Sequence, residues 1–271
     1  MRLWFVRFVC LLLPLAAHAG ESVWEEHPEW SREFAERGVI GTALIFDETD
    51  NRFLVLDRVR AEKAFSPAST FKVFNAMVAL ETGAVKDEYE VIRWDGVKRA
   101  FPDWNRDHSL ASGMKFSVVW FYQEMARRAG AKRMQQWIDA VGYGNGDIGG
   151  GIDRFWLSGA LRISAVEQIG FLRRLAAGTL PFSARSQETV RRITIQESAP
   201  DFVLHGKTGW ATHEDIGRTE DLGWYVGWVE RGGRRWFFAL NIDMPHGGED
   251  APKRVAIGRA LLAGVGAIPR P

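Results

Sequence analysis

Ser69 and Lys72 lie three positions apart in the segment Ser69-Thr70-Phe71-Lys72, among apolar neighbours. A serine hydroxyl attacks a carbonyl carbon only when another group takes its proton, and a lysine amine can take it only if burial keeps the amine neutral. Apolar residues continue at helical spacing as far as Gly83, which predicts a helix with Ser69 at its N-terminus and Lys72 on the same face. Unpaired backbone N–H groups at that terminus favour the negative charge that develops during attack. The pair therefore predicts a nucleophile and its base.

The pattern Ser-x-x-Lys is too short to identify a site alone, and the chain contains a second match, Ser112-Gly113-Met114-Lys115. This second segment contains a glycine and no recognisable helix start, so we expect no helix there and interpret it as a chance match. The alternative for the first match is a capped amphipathic helix with a solvated lysine. Other features of the chain have to decide between these two interpretations.

Lys207-Thr208-Gly209 follows a short β-rich run. At a strand edge, the lysine and the hydroxyl could bind a substrate carboxylate, and the glycine could let a ligand approach the backbone. The alternative is an edge strand that turns at Gly209. Ser117 lies between the two motifs and could relay a proton to a leaving group, although a serine before a helix is usually its N-cap.

The periodicity of apolar residues separates the chain into β-rich ends and a helical middle. Strands are predicted at 41–46, 52–56, 202–207, 223–229 and 235–242, and helices at 71–82, 118–129, 133–141, 164–177 and 251–262. This order predicts an α+β fold, in which a mainly antiparallel sheet built from both chain ends is flanked by helices. A helical subdomain at about 71–179 would be inserted into an α/β part at about 20–70 and 180–271.

Bulk properties exclude several classes of function. The 271 residues include 35 basic and 34 acidic side chains, which gives a net charge of +1, so no overall field favours nucleic acid or an anionic membrane. The six histidines show no metal-ligand spacing, so we expect no metal site. The chain has no Gly-x-Ser-x-Gly segment, which argues against a Ser-His-Asp hydrolase.

The first 19 residues have the pattern of a signal peptide. Arginines at positions 2 and 7 precede an apolar run at 8–15, and Ala17-His18-Ala19 is a small-x-small cleavage site. Pro14 interrupts the run, which is too short to span a membrane. Cleavage would remove the only cysteine, Cys10. We therefore expect a periplasmic protein, without a membrane anchor or disulfides, whose catalytic domain covers 20–271.

Taken together, Ser69-x-x-Lys72, Ser117-x-Val119 and Lys207-Thr208-Gly209 occur in the order used by serine β-lactamases and penicillin-binding proteins. The chain resembles class D, the oxacillinase-type β-lactamases, over about residues 25–265. This finer resemblance rests on Pro67-Ala68 before Ser69, Tyr143-Gly144-Asn145, Trp156-Leu157 with Gly159, the segment 163–168, and Trp210 after Gly209. The Ser-Asp-Asn of class A enzymes is not present at the second motif.

The resemblance implies an activity and a role for each residue of the chemistry. Class D enzymes hydrolyse penicillin- and oxacillin-type antibiotics through a serine acyl-enzyme, which implies that Ser69 is the nucleophile. Lys72 would react with carbon dioxide to become an N-carboxylated lysine, the general base for acylation and deacylation. Trp156 would steady this carbamate with its indole N–H, and Ser117 would pass a proton to the ring nitrogen. No other cofactor is implied.

The resemblance also implies how the substrate is bound. The backbone N–H groups of Ser69 and Trp210 would form the oxyanion hole. The substrate carboxylate would be held at Lys207, Thr208 and Gly209, together with Arg254 at the start of the last helix. We expect a small-molecule β-lactam as partner and either a monomer or a homodimer.

Two alternatives share the acylation chemistry. One is a penicillin-binding transpeptidase or carboxypeptidase, and the other is a β-lactam sensor domain that is acylated once without turnover. Sensors of that kind follow several membrane helices, whereas this sequence shows only a removable signal.

Overall fold

The strands form one twisted sheet in the computed structural model, which describes residues 22–270. The seven strands lie in the order β1-β3-β2-β7-β6-β5-β4, and every neighbouring pair is antiparallel except β1 and β3. The α+β prediction, with a sheet built from both chain ends, is confirmed. The strands are β1 Val23–Glu26, β2 Gly41–Asp47, β3 Arg52–Leu56, β4 Ile195–Ser198, β5 Phe202–Ala211, β6 Asp221–Arg231 and β7 Arg234–Met244.

Helices cover both faces of this sheet and bury a separate apolar cluster on each. The helices of the middle of the chain pack on one face, with α7 against β2, β6 and β7, while α1 and α10 lie on the other face. The helices are α1 Ser31–Ala35, α2 Arg58–Glu62, α3 Lys72–Glu81, α4 Leu110–Lys115, α5 Val119–Ala129, α6 Ala131–Val141, α7 Ala165–Ala177, α8 Ala184–Ile193, α9 His213–Ile216 and α10 Lys253–Gly264.

Most predicted elements are present, and their ends follow from local chemistry. Ser164 caps α7 and Glu167 completes the predicted capping box, while Gly178 ends the helix in the left-handed conformation with φ of 69°. The strands β5, β6 and β7 are each longer than predicted, because the polar residues at their ends still pair with neighbouring strands.

The expectation that the second Ser-x-x-Lys segment forms no helix is wrong. It lies in α4, which begins after Ser109 and has a capping box made by two serines, Ser109 and Ser112. The glycine within it faces the rings of Phe121 and Tyr122, where a Cβ would meet Phe121 at 3.1 Å. The strands β1 and β4 and the helix α8 were also not predicted, because each strand has only four residues and α8 contains few apolar residues.

The predicted signal peptide, with Cys10, lies outside the described residues. Within 22–270, no helix combines the length and the apolar character that crossing a bilayer would require.

Candidate active site

Ser69 lies where a 3₁₀ turn, Ala68–Phe71, runs directly into α3. It is the second residue of this turn, so its backbone N–H is among the first N–H groups, which have no partner within the helix. Ala68 takes a positive φ of 47°, a conformation that costs free energy for a residue with a Cβ and is typical of functional sites. The predicted position of Ser69 at a helix N-terminus agrees with this arrangement.

Lys72 is fully buried, and its Nζ lies 2.5 Å from Ser69 Oγ. Burial lowers the pKa of the Lys72 amine well below its usual value, and the charge of Lys207 lowers it further. Within residues 22–270, Lys72 forms no ion pair with a carboxylate. This environment favours the neutral form of the amine, which can react as a base or a nucleophile.

Trp156 is buried against the turn Ala68–Phe71, which carries Ser69 and is called the nucleophile turn below. The Trp156 ring stacks on Phe71 with centroids 5.2 Å apart. Its indole Nε1 is buried and has no hydrogen-bond acceptor among the described residues. The other two fully buried indoles both have one, since Trp224 donates to Ser66 O at 2.9 Å and Trp228 donates to Glu230 at 2.9 Å. Because buried donors are nearly always paired in folded proteins, the Trp156 N–H is suited to a group that the polypeptide does not supply.

Ser66 connects this tryptophan to the nucleophile turn. Its buried hydroxyl donates to the carbonyls of Trp156 at 3.1 Å and Leu157 at 2.9 Å. No sequence pattern indicates this role, because the two bonded segments are 90 residues apart.

Ser117 lies across the cleft from the nucleophile turn and is held by Lys207. Lys207 Nζ donates to Ser117 Oγ at 2.9 Å and to Thr208 O at 3.0 Å. Burial, followed by the charge of Arg254, lowers the pKa of Lys207 from 10.5 to about 7. Ser117 is not the helix cap, because that position belongs to Val118 and Ser117 itself takes a positive φ of 54°. The strained backbone turns its hydroxyl toward the lysine instead.

The second half of β5 forms one edge of the cleft. The strand β4 pairs with β5 only at Val203–His205, and the last link is Gly206 N–H donating to Thr194 O at 2.9 Å. N–H groups of successive residues point to opposite edges of a strand, and β5 pairs with β6 without a break in register. The N–H groups of Thr208 and Trp210 therefore point to the same open edge as that of Gly206.

Gly209 also allows a close approach within the protein. A Cβ at this position would come within 3.1 Å of Pro67 O and of the Thr70 side chain. The glycine thus lets β5 approach the turn that carries Ser69, so that Ser69 and the open edge of β5 line the same cleft.

Arg254 at the start of α10 is buried and donates from Nη1 to Gly209 O and from Nε to Ala251 O at 2.7 Å. Burial lowers the pKa of Arg254 to about 10. Its side chain fits over Gly223, where a Cβ would come within 2.6 Å of Arg254 Cδ. Both hydrogen bonds are to carbonyl oxygens, so the positive charge of Arg254 remains available to an anion in the cleft.

These elements enclose a cleft of about 370 Å³. Six of the predicted residues line it, and Lys72, Lys207 and Trp156 lie behind its surface. The segment 94–110, before α4, contributes the aromatic residues Phe101 and Trp104 to the lining. The segment after β5 contributes Thr212 and Asp215. The complete lining is Ser69, Phe101, Trp104, Phe116, Ser117, Val119, Leu157, Thr208, Gly209, Trp210, Thr212, Asp215 and Arg254.

Basic side chains predominate around the site. Lys72, Lys207 and Arg254 are buried, and they lie close enough for Lys207 to lower the pKa of Lys72 and for Arg254 to lower the pKa of Lys207. One acidic residue, Asp215, lines the cleft in the part of the chain that the structure describes. Within residues 22–270, no three His, Asp or Glu side chains converge to bind a metal ion. A nucleophile, a neutral amine and an anion-binding end are the components needed for acyl transfer from a substrate that bears a carboxylate.

Comparison with known proteins gives a consistent picture. Residues 41–263 match the sequence family of the penicillin binding protein transpeptidase domain. β-Lactamase OXA-48 of Klebsiella pneumoniae is 43% identical over 240 residues, which are 89% of this chain and 88% of the relative. β-Lactamase OXA-2 of Salmonella typhimurium is 41% identical over 271 residues, which are 99% of this chain and 95% of the relative.

Solved structures agree with the sequence relatives. The class D β-lactamase YbXI from Nostoc is 43% identical and superposes with a TM-score of 0.84. The match covers 88% of this chain and 99% of the Nostoc protein. A second solved structure is FUS-1 (OXA-85), a class D β-lactamase from Fusobacterium nucleatum subsp. polymorphum. It is 38% identical and superposes with a TM-score of 0.85, and the match covers 90% of this chain and 100% of the FUS-1 chain.

Proposed function

The chain belongs to the class D β-lactamases, in the penicillin-binding-protein transpeptidase superfamily, and we propose that it hydrolyses penicillin- and oxacillin-type antibiotics through an acyl-enzyme on Ser69. The observation that supports this proposal most strongly is the environment of Lys72, a fully buried amine within 2.5 Å of the Ser69 hydroxyl. A lysine held neutral in this way can serve a nucleophile, whereas a solvated lysine cannot.

The residues around Lys72 fit an N-carboxylated lysine. Only a neutral amine reacts with carbon dioxide, and the lowered pKa of Lys72 favours that form. The unpaired N–H of Trp156 would donate to the carboxyl group, which satisfies a buried donor that otherwise has no acceptor in residues 22–270. When bound, the carboxyl group supplies the oxygen base for both acylation and deacylation.

The chain's own residues carry the remaining steps. Ser69 Oγ attacks the lactam carbonyl carbon, its proton passes to the side chain of residue 72, and the carbon–nitrogen bond of the ring breaks. Ser117, which is held by Lys207 at 2.9 Å, passes a proton to the departing nitrogen. Water then attacks the ester carbonyl and releases Ser69, so that the enzyme returns to its starting state.

The negative charge on the attacked carbonyl oxygen is stabilised by two backbone N–H groups. These are the unpaired N–H of Ser69 at the helix start and the N–H of Trp210 at the open edge of β5. A donor of this kind typically lowers the free energy of the transition state by about 3 to 4 kcal/mol. At the other end of the site, Lys207, Thr208 and Gly209 with Arg254 would hold the substrate carboxylate through charge and hydrogen bonds.

We further propose that residues 1–19 are a signal peptide and that the catalytic domain, 20–271, acts in the periplasm as a monomer or a homodimer. An enzyme in that compartment would destroy β-lactams before they reach their targets in the cell wall, which would make the host bacterium resistant.

Turnover distinguishes this function from its alternatives. The purified protein should hydrolyse many equivalents of a chromogenic cephalosporin or a penicillin per active site. A single burst that leaves a stable label on Ser69 would instead indicate a transpeptidase or a β-lactam sensor.

A further inference from the structure

The open edge of β5 fixes the direction in which a substrate lies in the cleft. The anion-binding group, Thr208 with Lys207, stands at one end, and the Trp210 N–H follows two residues later, about 7 Å along the strand. A bicyclic β-lactam carries its carboxylate and its acylamino side chain on opposite sides of the reacting carbonyl. A carboxylate at Thr208 and a carbonyl at Trp210 therefore place the acyl side chain beyond β5, at the start of α9.

Asp215, the third residue of α9, lines the cleft at this far end. Its side chain is exposed, and Oδ2 accepts a hydrogen bond from Thr212 Oγ1 at 3.0 Å. Within the described residues, Asp215 forms no ion pair, and the buried cations Lys207 and Arg254 belong to the carboxylate end. The charge of Asp215 thus has no ion-pair partner among the described residues, and it lies at the solvent-exposed rim of a cleft lined mainly by apolar side chains.

Aromatic residues line the cleft beside α9, because Asp221 accepts from the Trp210 indole and from the backbone N–H of His213, the first residue of α9. The ring of Phe101 lies edge-on to the ring of Trp210, with centroids 6.3 Å apart, and packs against Trp104 at 4.7 Å. The Trp210 indole is fixed in turn by donating to Asp221 at 2.7 Å. An aryl group on the acyl side chain would pack against these rings, which places the substituent on its α-carbon within reach of Asp215 in the same part of the lining.

Resting on the β-lactamase function proposed above, we propose that Asp215 determines specificity toward the acyl side chain. It favours β-lactams with a cationic ammonium group on the side-chain α-carbon and disfavours those with a carboxylate there.

Three penicillins that differ at this one carbon test the proposal. Benzylpenicillin carries hydrogen there, ampicillin an ammonium group and carbenicillin a carboxylate. The quantity to measure is kcat/KM for ampicillin and for carbenicillin, each divided by that for benzylpenicillin. Asp215→Asn removes the charge and keeps an oxygen for the Thr212 hydroxyl. Glu214→Gln is the matched control, because Glu214 is its exposed neighbour and does not line the cleft.

In Asp215→Asn, the ampicillin ratio should fall about three- to fivefold and the carbenicillin ratio should rise by a similar factor, as for a partly exposed ion pair. Both changes in the ratios should become smaller at about 1 M salt, where the Debye length is about 3 Å and the charge of Asp215 is screened. The ratios in Glu214→Gln should stay at their wild-type values. Ratios that stay constant in Asp215→Asn, move in the same direction, or move equally in Glu214→Gln would overturn the proposal. If the wild-type protein does not turn over benzylpenicillin at all, the proposed function fails and this inference fails with it.

Discussion

The two Ser-x-x-Lys segments have the same spacing and opposite environments. Around the first, Lys72 is fully buried and Ser69 is 8% exposed. In the second, Lys115 is exposed, and Ser112 Oγ accepts from the Ser109 backbone N–H at 2.9 Å as part of a helix cap. Both segments are helical, so the helix alone does not create the chemistry. The difference lies in what surrounds the lysine.

The first segment precedes α3, which is enclosed by other helices and by the sheet, while the second ends a short surface helix. Burial removes water from Lys72 and lowers its pKa. Lys115 lies above the ring of Phe116 at 5.5 Å and is exposed to solvent. Four comparisons, ordered by expected effect, can break or sharpen this contrast.

The largest effect is expected from the two serines. Ser69→Ala should lower kcat/KM by at least about 10³-fold and abolish covalent labelling by a β-lactam, because it removes the nucleophile. Ser112→Ala should keep its activity and lose about 1 kcal/mol of stability through the weakened cap. Mass spectrometry after incubation with a penicillin and a thermal melt of each variant measure these outcomes. A stable acyl adduct in Ser69→Ala would contradict the assignment.

The two lysines should differ next. Lys72→Ala should lower turnover by about 10²- to 10⁴-fold, the usual contribution of a general base, while Lys115→Ala should stay within about twofold of wild type. Steady-state kinetics with one penicillin, at equal folded fractions checked by circular dichroism, make the comparison. Equal losses in both variants would mean that burial does not decide which lysine reacts.

The buried indoles allow a narrower comparison. Trp156→Phe keeps an aromatic ring against Phe71 and removes the unpaired N–H. It should therefore raise the bicarbonate concentration needed for half-maximal activity by about tenfold, as for a lost hydrogen bond to a charged group. Trp228→Phe is the control, because it removes a buried indole that already has a partner in Glu230. This variant should keep the wild-type bicarbonate response. If both variants show the wild-type bicarbonate response, Trp156 does not support the carboxyl group.

The smallest effect concerns the pH dependence of Lys207. Its pKa of about 7 means that its charge is lost as the pH rises above that value, so kcat/KM for a carboxylate-bearing substrate should fall severalfold between neutral pH and pH about 8.5. The same shift should make the protein more stable as the pH rises from about 7 to 10.5, because the unfolded chain then holds a proton that the folded chain lacks. Lys207→Arg should shift the decline in kcat/KM to higher pH, and a decline that is unchanged would exclude Lys207 as its cause.

The sequence predicted much of this molecule because its signals are local. Apolar periodicity located the long helices and the central strands, and the capping box at Ser164 marked the start of α7. The elements missed, such as β4 and α4, are short and are stabilised by pairing or by an unusual cap rather than by their own pattern. Tertiary context determines these segments more than propensity does.

The candidate site was predicted in two ways. Ser69 and Lys72 were predicted from their spacing and apolar surroundings, whereas the roles of Trp156, Trp210 and Arg254 came from the resemblance to a known family. What the sequence could not provide was the geometry between distant segments. The Ser66 hydroxyl on the Trp156 segment, the closeness of Gly209 to the nucleophile turn and the unpaired indole N–H all depend on contacts between residues far apart in the chain. The contact between Ser117 and Lys207 likewise joins residues that are 90 positions apart in the chain.

The most direct test of this account is the capture of carbon dioxide by one of the two motif lysines. Protein equilibrated with ¹³C-bicarbonate at mildly alkaline pH should show a single carbamate carbon resonance. We expect the resonance to persist in Lys115→Ala, to disappear in Lys72→Ala, and to fade reversibly as the pH is lowered through the depressed pKa of Lys72. A wild-type protein that turns over β-lactams without this resonance, or a resonance that survives in Lys72→Ala, would contradict the account.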